Sequence, residues 1–241
     1  MQNKIQNKSI SFIILALNEE AYIESTVNTV INAVSLSDIT KYELILVNDG
    51  STDSTQEIMQ QIILNKTNCK VINNTTNIGM GGSWRIGLSH AKNDYIMLIA
   101  GDDIMPIEDI CSILNKIGEA DVILPYLTNK KLRSKGRRLG SWGYTRVINT
   151  IFNHKVKYYQ GVLPKRNIVT ELNIKSTSYA FQAEITIKLL RKGYSYIEVP
   201  INNTPRNEIK SVALQPKRLL AVLKSIITLA LEIYNPFNKS K

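Results

Sequence analysis

The stretch DYIMLIAGDDIMP, residues 94–106, decides the fold. A continuous apolar run ends on two adjacent carboxylates, Asp102 and Asp103, and then on Pro106. Such a run is typical of a strand that is covered on both faces, as in a parallel sheet. Carboxylates at the end of a buried strand need a cation, a hydrogen-bond donor or water. The end of this strand is therefore predicted to be a binding edge.

Two similar runs lie upstream, in ISFIILAL before NEE and in YELILVNDG, and CKVINN is interpreted as a third short strand. Helical stretches separate these runs at 21–34, at 51–65 and in the glycine-rich NIGMGGSWRIGLSHA. The alternation predicts an α/β fold with a Rossmann-like, mostly parallel central sheet flanked by helices. Ligands of such sheets bind at the carboxyl ends of the strands, so NEE, NDGSTD and GDD are expected to surround one cleft.

The composition narrows the partners and the compartment. The 241 residues include 30 basic and 20 acidic side chains and two cysteines, which gives a formal charge of +10. This charge favours anionic partners, and the two distant cysteines favour a reducing compartment. The sequence shows no signal peptide and no apolar run of about 18 residues, so a cytoplasmic protein is expected. Nucleic acid is not expected as a partner, because the cations gather in one segment and no nucleic-acid-binding module is recognisable.

That segment, NKKLRSKGRR at 129–138, is interpreted as a mobile basic loop, with a solvated segment without function as the alternative. A helix is predicted over 141–154, another over 179–193 and a final strand over 194–201. From Pro216 an amphipathic C-terminal helix follows, which would pack on the domain, on a dimer partner or in a membrane interface. The predicted division is a domain at 1–215, with a nucleotide part at 8–105 and an acceptor part at 106–215, and a helix with tail at 216–241.

Two readings are open for each acidic motif. Asp102 and Asp103 offer the hard oxygen ligands that Mg²⁺ or Mn²⁺ prefers, or they cap the helix that starts near Pro106. Asp49 and Asp53 suit ribose hydroxyls and base edges, or they form a turn and a helix cap. Neither a GxGxxG nor a P-loop motif is present.

Five blocks together resemble glycosyltransferase family 2, the inverting enzymes of GT-A fold that use nucleotide-sugar donors. They are ALNEE, LILVNDGSTDST, NIGMGGSWRIGL, DYIMLIAGDDIMP and FQAEITIKLLRKGYSYIEVPI. The last block, followed by Arg206, is most similar to the dolichyl- or polyprenyl-phosphate sugar transferases.

The resemblance implies roles for individual residues. Glu19 and Asp49 would bind the nucleoside, and Asp102, with Asp103, would hold the metal and the diphosphate. Catalytic roles fall on Asp102, Arg138 and Arg206. The implied nucleotide-sugar site comprises Leu15, Leu17, Glu19, Val47, Asp49, Gly101, Asp102 and Ile104, and the implied acceptor site comprises Arg138, Ser141, Lys210 and Ser211.

The chain departs from the family pattern at several of these positions. Ala100 replaces the first acid of the usual Asp-x-Asp, Leu15 and Leu17 replace a proline and a tyrosine, and Lys157 replaces an acidic residue. Because of these departures, the resemblance does not settle the metal or the identity of the sugar.

The sequence is compatible with three functions. The first is sugar transfer from a UDP- or GDP-sugar to polyprenyl phosphate at the cytoplasmic face of the membrane, with peripheral membrane contact. The second is transfer to a glycan hydroxyl, which needs a general base such as Glu184, although a helical salt link is an alternative role for that residue. The third is a nucleotide-sugar-binding protein without turnover. A homodimer is compatible with all three.

Overall fold

The computed structural model describes residues 8–64, 66–129, 134–202 and 216–235. Its first half alternates strands and helices, as predicted: β1 (Ser9–Ala16), α1 (Ile23–Ser35), β2 (Lys41–Asn48), α2 (Thr55–Ile63), β3 (Cys69–Asn73), α3 (Met80–His90), β4 (Tyr95–Ala100) and α4 (Ile107–Leu114). Its second half contains β5 (Val122–Leu127), α5 (Lys135–Phe152), β6 (Leu163–Pro164), α6 (Arg166–Val169), α7 (Phe181–Arg191), β7 (Tyr196–Ile201) and α8 (Pro216–Tyr234).

The central sheet has the strand order β3-β2-β1-β4, and all its pairs are parallel. In the register of β1, Ala16 lies beside Asn48 of β2, and Leu15 lies beside Ala100 of β4. The carboxyl ends of these three strands therefore meet at one edge. The predicted α/β class and the parallel central sheet are confirmed.

A second, smaller sheet follows, which the sequence pattern does not predict. Its strand order is β6-β5-β7, with β5 parallel to β7 and antiparallel to β6. Asp121, just before β5, accepts hydrogen bonds from Lys165 Nζ at 2.7 Å and from Ser195 Oγ at 2.6 Å. These bonds hold the pKa of Asp121 at about 2. Asp121 thus links the start of β5 to the end of β6 and to the start of β7.

Side chains of β1 alternate between two cores, as the two-residue period of a strand requires. Phe12 and Ile14 pack with α1 and α4 on one face, whereas Ile13 and Leu15 pack with α3 and α7 on the other. The second core also includes Ile226 and Leu229 of α8, both almost fully buried. The C-terminal helix is thus packed on the domain, while the predicted boundary at residue 215 stays a prediction.

The interpretation of 129–138 as a loop was wrong for its second half. Lys135, Arg137 and Arg138 form the first turn of α5, and the Ser134 side chain caps this turn by accepting the Arg137 N–H. Serine at this position satisfies one amide that the helix cannot bond itself. The run of cations with a glycine concealed the helix start in the sequence. Residues 130–133 lie outside the described residues.

Candidate active site

The loops after β1 and β2 are joined by hydrogen bonds between side chains and backbone. Asn18, whose φ is +57°, accepts the Thr52 N–H on Oδ1 at 2.8 Å and donates its own N–H to Ser51 Oγ at 3.0 Å. Glu20 Oε2 accepts the Ser54 N–H at 2.9 Å. The predicted meeting of the NEE and NDGSTD motifs at one sheet edge is confirmed.

Asp53 contributes to this link between the two loops instead of facing outward. Its Oδ1 accepts the N–H of Thr55 at 3.1 Å and the hydroxyl of the same residue, and its Oδ2 accepts the Glu20 N–H at 3.2 Å. Partial burial raises the pKa of Asp53. These hydrogen bonds lower the pKa by more than burial raises it, so the pKa lies below its usual value. The turn reading of the motif therefore holds for Asp53, whereas the cap position of α2 is taken by Ser54.

Asp49 is buried and points toward the glycine turn, residues 77–82. Its Oδ1 accepts the Ile78 N–H at 2.9 Å and the Asn74 amide at 3.1 Å, and its Oδ2 accepts the Gly79 N–H at 3.1 Å. The carboxylate therefore holds the turn in front of α3. The implied contact of Asp49 with a nucleoside stays a prediction, and at most one of its lone-pair sites is left for it.

The end of β4 lies against the end of β1, because the Gly101 N–H donates to the Leu15 carbonyl at 2.8 Å. Asp102 follows at the edge and is half-buried. Asp103, whose φ is +50°, accepts the Thr29 hydroxyl of α1 at 3.2 Å. In the described chain α4 is capped by Pro106, with no side-chain hydrogen bond at its cap. Neither carboxylate therefore occupies the cap position of α4.

The donor atoms at this edge fit a metal that is shared with a ligand. In the described part of the chain no three His, Cys, Asp or Glu side chains are grouped to hold a metal ion. Asp102 supplies hard oxygens, and Asp103 does so while bonded to Thr29. Mg²⁺ is usually bound through one or two carboxylates, with substrate phosphates and water completing the shell. The residues present match this kind of site.

The side chains of two implied donor-site residues point into the core, and the part that these residues play in the site stays a prediction. Val47 is fully buried and Leu15 is nearly so, and both pack in the core with α3. Strand geometry turns alternate side chains inward, and both backbones are paired within the sheet. Leu17 and Glu19 are accessible at the edge, as is Ile104 in part.

A cleft of about 880 Å³ runs along α5 and includes both described residues of the predicted acceptor site, Arg138 and Ser141. Its other lining residues are Leu127, Lys135, Leu139, Trp142, Thr145, Arg146, Asn149, Thr150, His154, Lys157 and Tyr158. Four of the described lining side chains are cationic and none is a carboxylate. Arg206, Lys210 and Ser211 lie outside the described residues, so their roles stay predictions.

Most of the cleft was missed in the sequence. Arg138, Trp142, Thr145 and Asn149 recur at the three- and four-residue spacing of one helix face, but Arg138 joins this face only when the helix starts at Lys135. The guanidinium of Arg146 lies 5.8 Å from the centre of the Trp142 ring.

Lys157 stands where the family often has an acid, and its surroundings explain how the change is accommodated. Its Nζ lies 3.3 Å from Glu198 of β7 and 4.3 Å from the centre of the Tyr126 ring. The hydrogen bond that Lys157 donates to Glu198 raises the pKa of Lys157. Lys157 is therefore a cation at the rim of the cleft at neutral pH.

Comparisons with known proteins agree with the motifs. The sequence model of the family "Glycosyl transferase family 2" matches residues 11–178, and the chain belongs to this family. An uncharacterized glycosyltransferase of Haemophilus influenzae is 27% identical over 96% of this chain and 98% of that protein. The chain is a nucleotide-sugar-dependent glycosyltransferase.

The names of two relatives contain dolichyl phosphate and bactoprenol. A dolichyl-phosphate beta-glucosyltransferase of Dictyostelium discoideum is 26% identical over 89% of this chain and 71% of that protein. A prophage bactoprenol glucosyl transferase homolog of Escherichia coli is 27% identical over 68% of this chain, which spans 55% of that protein.

Among solved structures, glucosyl-3-phosphoglycerate synthase of Mycobacterium tuberculosis shares the fold. Its complex with UDP has a TM-score of 0.70 at 16% identity and covers 92% of this chain and 80% of that one. The same enzyme with Mg²⁺ and UDP gives a TM-score of 0.68 at 14% identity over 92% of this chain and 79% of that one. The predicted GT-A fold is thereby confirmed.

Proposed function

We propose that this glycosyltransferase moves a sugar from a UDP- or GDP-sugar, bound at the carboxyl edge of the central sheet, to polyprenyl phosphate bound along α5. The observation that carries the proposal is the mixed character of the α5 cleft. Its described lining combines four cations with exposed apolar side chains and contains no carboxylate. An acceptor with an anionic head and an apolar chain matches both properties.

The arrangement of the cleft suits such an amphiphile. Arg138 and Asn149 are eleven residues apart on one face of α5, so the groove extends for roughly 16 Å at the rise of an α-helix. Leu139 and Trp142 are 68% and 61% exposed, although they are apolar. Arginine binds phosphate through two parallel N–H groups, which gives Arg138 and Arg146 a geometric preference for the head group.

The absence of a carboxylate among the described lining residues favours a phosphate over a hydroxyl. An acceptor phosphate is already ionised, so no residue has to remove a proton, whereas a hydroxyl needs a general base. An oxygen of this phosphate would form the bond to the anomeric carbon. The bond from that carbon to the donor diphosphate breaks on the opposite face, and its electron pair leaves with the diphosphate.

Glu184, the base considered in the sequence, is committed elsewhere. It is buried, and its carboxylate oxygens accept the N–H groups of Lys175 and Ser176 at 3.0 and 2.9 Å. It is also paired with Lys188 at 2.7 Å. These contacts support the helical salt link as its role.

At the donor edge, Asp102 would hold Mg²⁺ or Mn²⁺ together with the diphosphate, and Asp103 would assist from its bond to Thr29. The metal would neutralise the charge that develops on the leaving diphosphate. The UDP complexes of the mycobacterial enzyme, with Mg²⁺ or Mn²⁺, support this choice of donor and metal by analogy of fold. The accessible Glu19 lies at the same edge, where it would accept hydrogen bonds from the nucleoside.

The test is a donor screen with radiolabelled UDP- and GDP-sugars, undecaprenyl phosphate and Mg²⁺ or Mn²⁺, with the label followed into organic solvent. We expect lipid-extractable label that disappears in Asp102→Ala. Arg138→Gln should raise the KM for the lipid by about tenfold or more, as expected for the loss of a charged hydrogen bond. Arg137→Gln is the matched control, because it removes the same charge from the next position, which does not line the cleft.

Two outcomes contradict the proposal. Turnover with a glycan acceptor and no lipid labelling would assign a hydroxyl acceptor. Equal effects of the two arginine variants would mean that the cleft acts only through its overall charge.

Membrane contact through α8 would bring the enzyme to its acceptor. Four side chains on the outer face of α8 are between 47% and 68% exposed: Leu220, Leu223, Ile227 and Leu231. Within the ranges that the structure describes, none of the helices combines the length and the apolar character needed to cross a bilayer. The exposed leucine stripe instead has the character of a helix that lies in the interface.

Flotation with vesicles that contain anionic phospholipid tests this contact. The double variant Ile227→Ser, Leu231→Ser should float less than the wild type. The double variant Leu36→Ser, Leu64→Ser is the matched control, since it removes leucines that are 70% and 77% exposed just after the ends of α1 and α2. Equal flotation of both variants and the wild type would exclude α8 as the contact.

A further inference from the structure

The segment 174–178, which we call the clamp segment, lies directly on the glycine turn that Asp49 holds. The Gly81 N–H donates to the Thr177 carbonyl at 3.0 Å. A Cβ atom at Gly81 would lie 2.3 Å from the Ser176 carbonyl oxygen, and one at Gly79 would lie 2.8 Å from the Thr177 carbonyl oxygen. Only glycine permits such close approach of two backbones. The clamp segment therefore covers the turn from outside while Asp49 holds it from inside.

Arg85 fixes the clamp segment to α3. Its Nη1 donates to the carbonyl oxygens of Ile174 and Ser176, each at 3.2 Å. From the other side, the buried Glu184 of α7 accepts the N–H groups of Lys175 and Ser176. Four backbone groups of the clamp segment are thus held by two charged side chains, and such hydrogen bonds are the stronger class.

The outer side of the clamp segment is held by α8. Ser225 Oγ lies 3.3 Å from the hydroxyl oxygens of both Ser176 and Ser178. Glu232 pairs with Lys175 of the clamp segment at 2.9 Å and with Lys188 of α7 at 3.1 Å. Of the Lys188 side chain only 11% is exposed, so its pair is partly shielded from solvent.

These contacts form a continuous path from the C-terminal helix to the donor edge of the central sheet. α8 contacts the clamp segment, the clamp segment contacts the glycine turn, and the turn is bonded to Asp49 at the end of β2. We propose that Ser225 and Glu232 of α8 are positioning residues for the nucleotide-sugar site, which they support through the clamp segment. This proposal rests on the donor edge of the proposed function.

The consequence is a second role for α8 besides the proposed membrane contact. Its outer face carries the exposed apolar side chains, while its inner face holds the clamp segment that covers the glycine turn. Any displacement of α8 at a lipid surface would be transmitted to donor affinity. A conformational coupling of this kind is ordinarily between about 5- and 150-fold in affinity.

The test compares two double variants of the full chain. Ser225→Ala, Glu232→Gln removes a hydroxyl and a charge from the inner face of α8. Lys224→Gln, Thr228→Ala is the matched control, since it removes a hydroxyl and one charge, of opposite sign, from two exposed positions of the same helix. Hydrogen exchange of the Gly81 amide and the affinity for UDP with Mn²⁺, by calorimetry, are measured for both.

We expect faster exchange at Gly81 in the first variant and about a fivefold weaker affinity for UDP, with unchanged exchange in β1. In turnover, the KM for the donor should rise while kcat stays within about twofold, the pattern of lost ground-state binding. The control variant should match the wild type. Unchanged exchange at Gly81 in the first variant, or equal changes in both variants, would overturn the proposal.

Failure of the proposed function would look different. A wild-type protein that binds neither UDP nor GDP contradicts the donor edge. The exchange measurement still decides whether α8 supports the glycine turn, because it needs no nucleotide. Loss of protection in β1 as well as at Gly81 would indicate general unfolding and would also count against a local positioning role.

Discussion

The change Asp49→Asn separates two roles for the most buried carboxylate at the donor edge. As a ligand of the nucleoside, Asp49 would affect nucleotide affinity and little else. As the support of the glycine turn, it would affect the free energy of unfolding with no nucleotide present. Asparagine has nearly the same shape, so the change removes the charge and one acceptor without leaving a cavity.

The structure sets the size of the expected effect. Asp49 accepts hydrogen bonds from Ile78 and Asn74 on one oxygen and from Gly79 on the other. A hydrogen bond to a charged group contributes about 1.5–3 kcal/mol, and a neutral one about 0.5–1.5 kcal/mol. The Gly79 N–H keeps the Asn77 side chain as a second acceptor at 2.9 Å, which limits the loss. We expect the free energy of unfolding to fall by about 2 kcal/mol, which lowers Tm by about 4–8 °C for a chain of this size.

The assay is thermal and denaturant unfolding of the apo-protein, with Asp38→Asn as the control. The Asp38 side chain is 87% exposed and lies 3.9 Å from Lys8, a geometry in which an ion pair contributes little. The control should therefore unfold like the wild type. An unchanged Tm in Asp49→Asn together with lost UDP affinity would refute the support role and establish direct contact with the nucleoside.

Three further predictions concern packing, pH and thiol chemistry. Gly87→Ala should lower the free energy of unfolding by about 1–3 kcal/mol, because the new Cβ would lie 2.4 Å from a core side chain of β1. Gly143→Ala, with open space around it, should not destabilise the protein, and denaturant unfolding compares the two variants. Burial raises the pKa of Glu232, but hydrogen bonds from Lys175 and a second lysine lower this pKa below the usual 4.5. The stability that Glu232 contributes is therefore present above pH 4.5 and is lost as the pH falls below that value. Hydrogen exchange of α8 amides between pH 5 and pH 3 checks this. Burial raises the pKa of Cys69 to about 11, so alkylation by iodoacetamide at neutral pH should be slow in the folded protein and fast after unfolding, as read by mass spectrometry.

The sequence alone determined the central sheet and the edge at which its motifs meet. Each strand of a parallel sheet is covered on both faces and therefore appears as a continuous apolar run, as β1 does. The polar residues that follow, from Asn18 after β1 to Asp102 after β4, must gather at one edge because all strands point the same way. Five motifs in register were then enough to indicate the family.

The sequence did not determine which way the polar side chains at that edge turn. Asp49 and Asp53 look alike in the motif, yet one supports the glycine turn and the other joins two loops. The start of α5 was hidden for a related reason, since a run of cations reports its charge but not the cap at Ser134 that lets it become helical. Local periodicity reports which face is buried, whereas the partner of a polar group is set by segments distant in sequence.

The same reason explains the α5 cleft and the contacts of α8. The cleft requires α5, the end of β5 and the residues before β6 to be brought together, and the clamp segment requires α3, α7 and α8. The apolar pattern of α8 fits packing on the domain, dimerisation and membrane contact equally well. Only the tertiary structure decided that one face of this helix is packed on the domain, because burial of Ile226 and Leu229 depends on neighbours that no local pattern specifies.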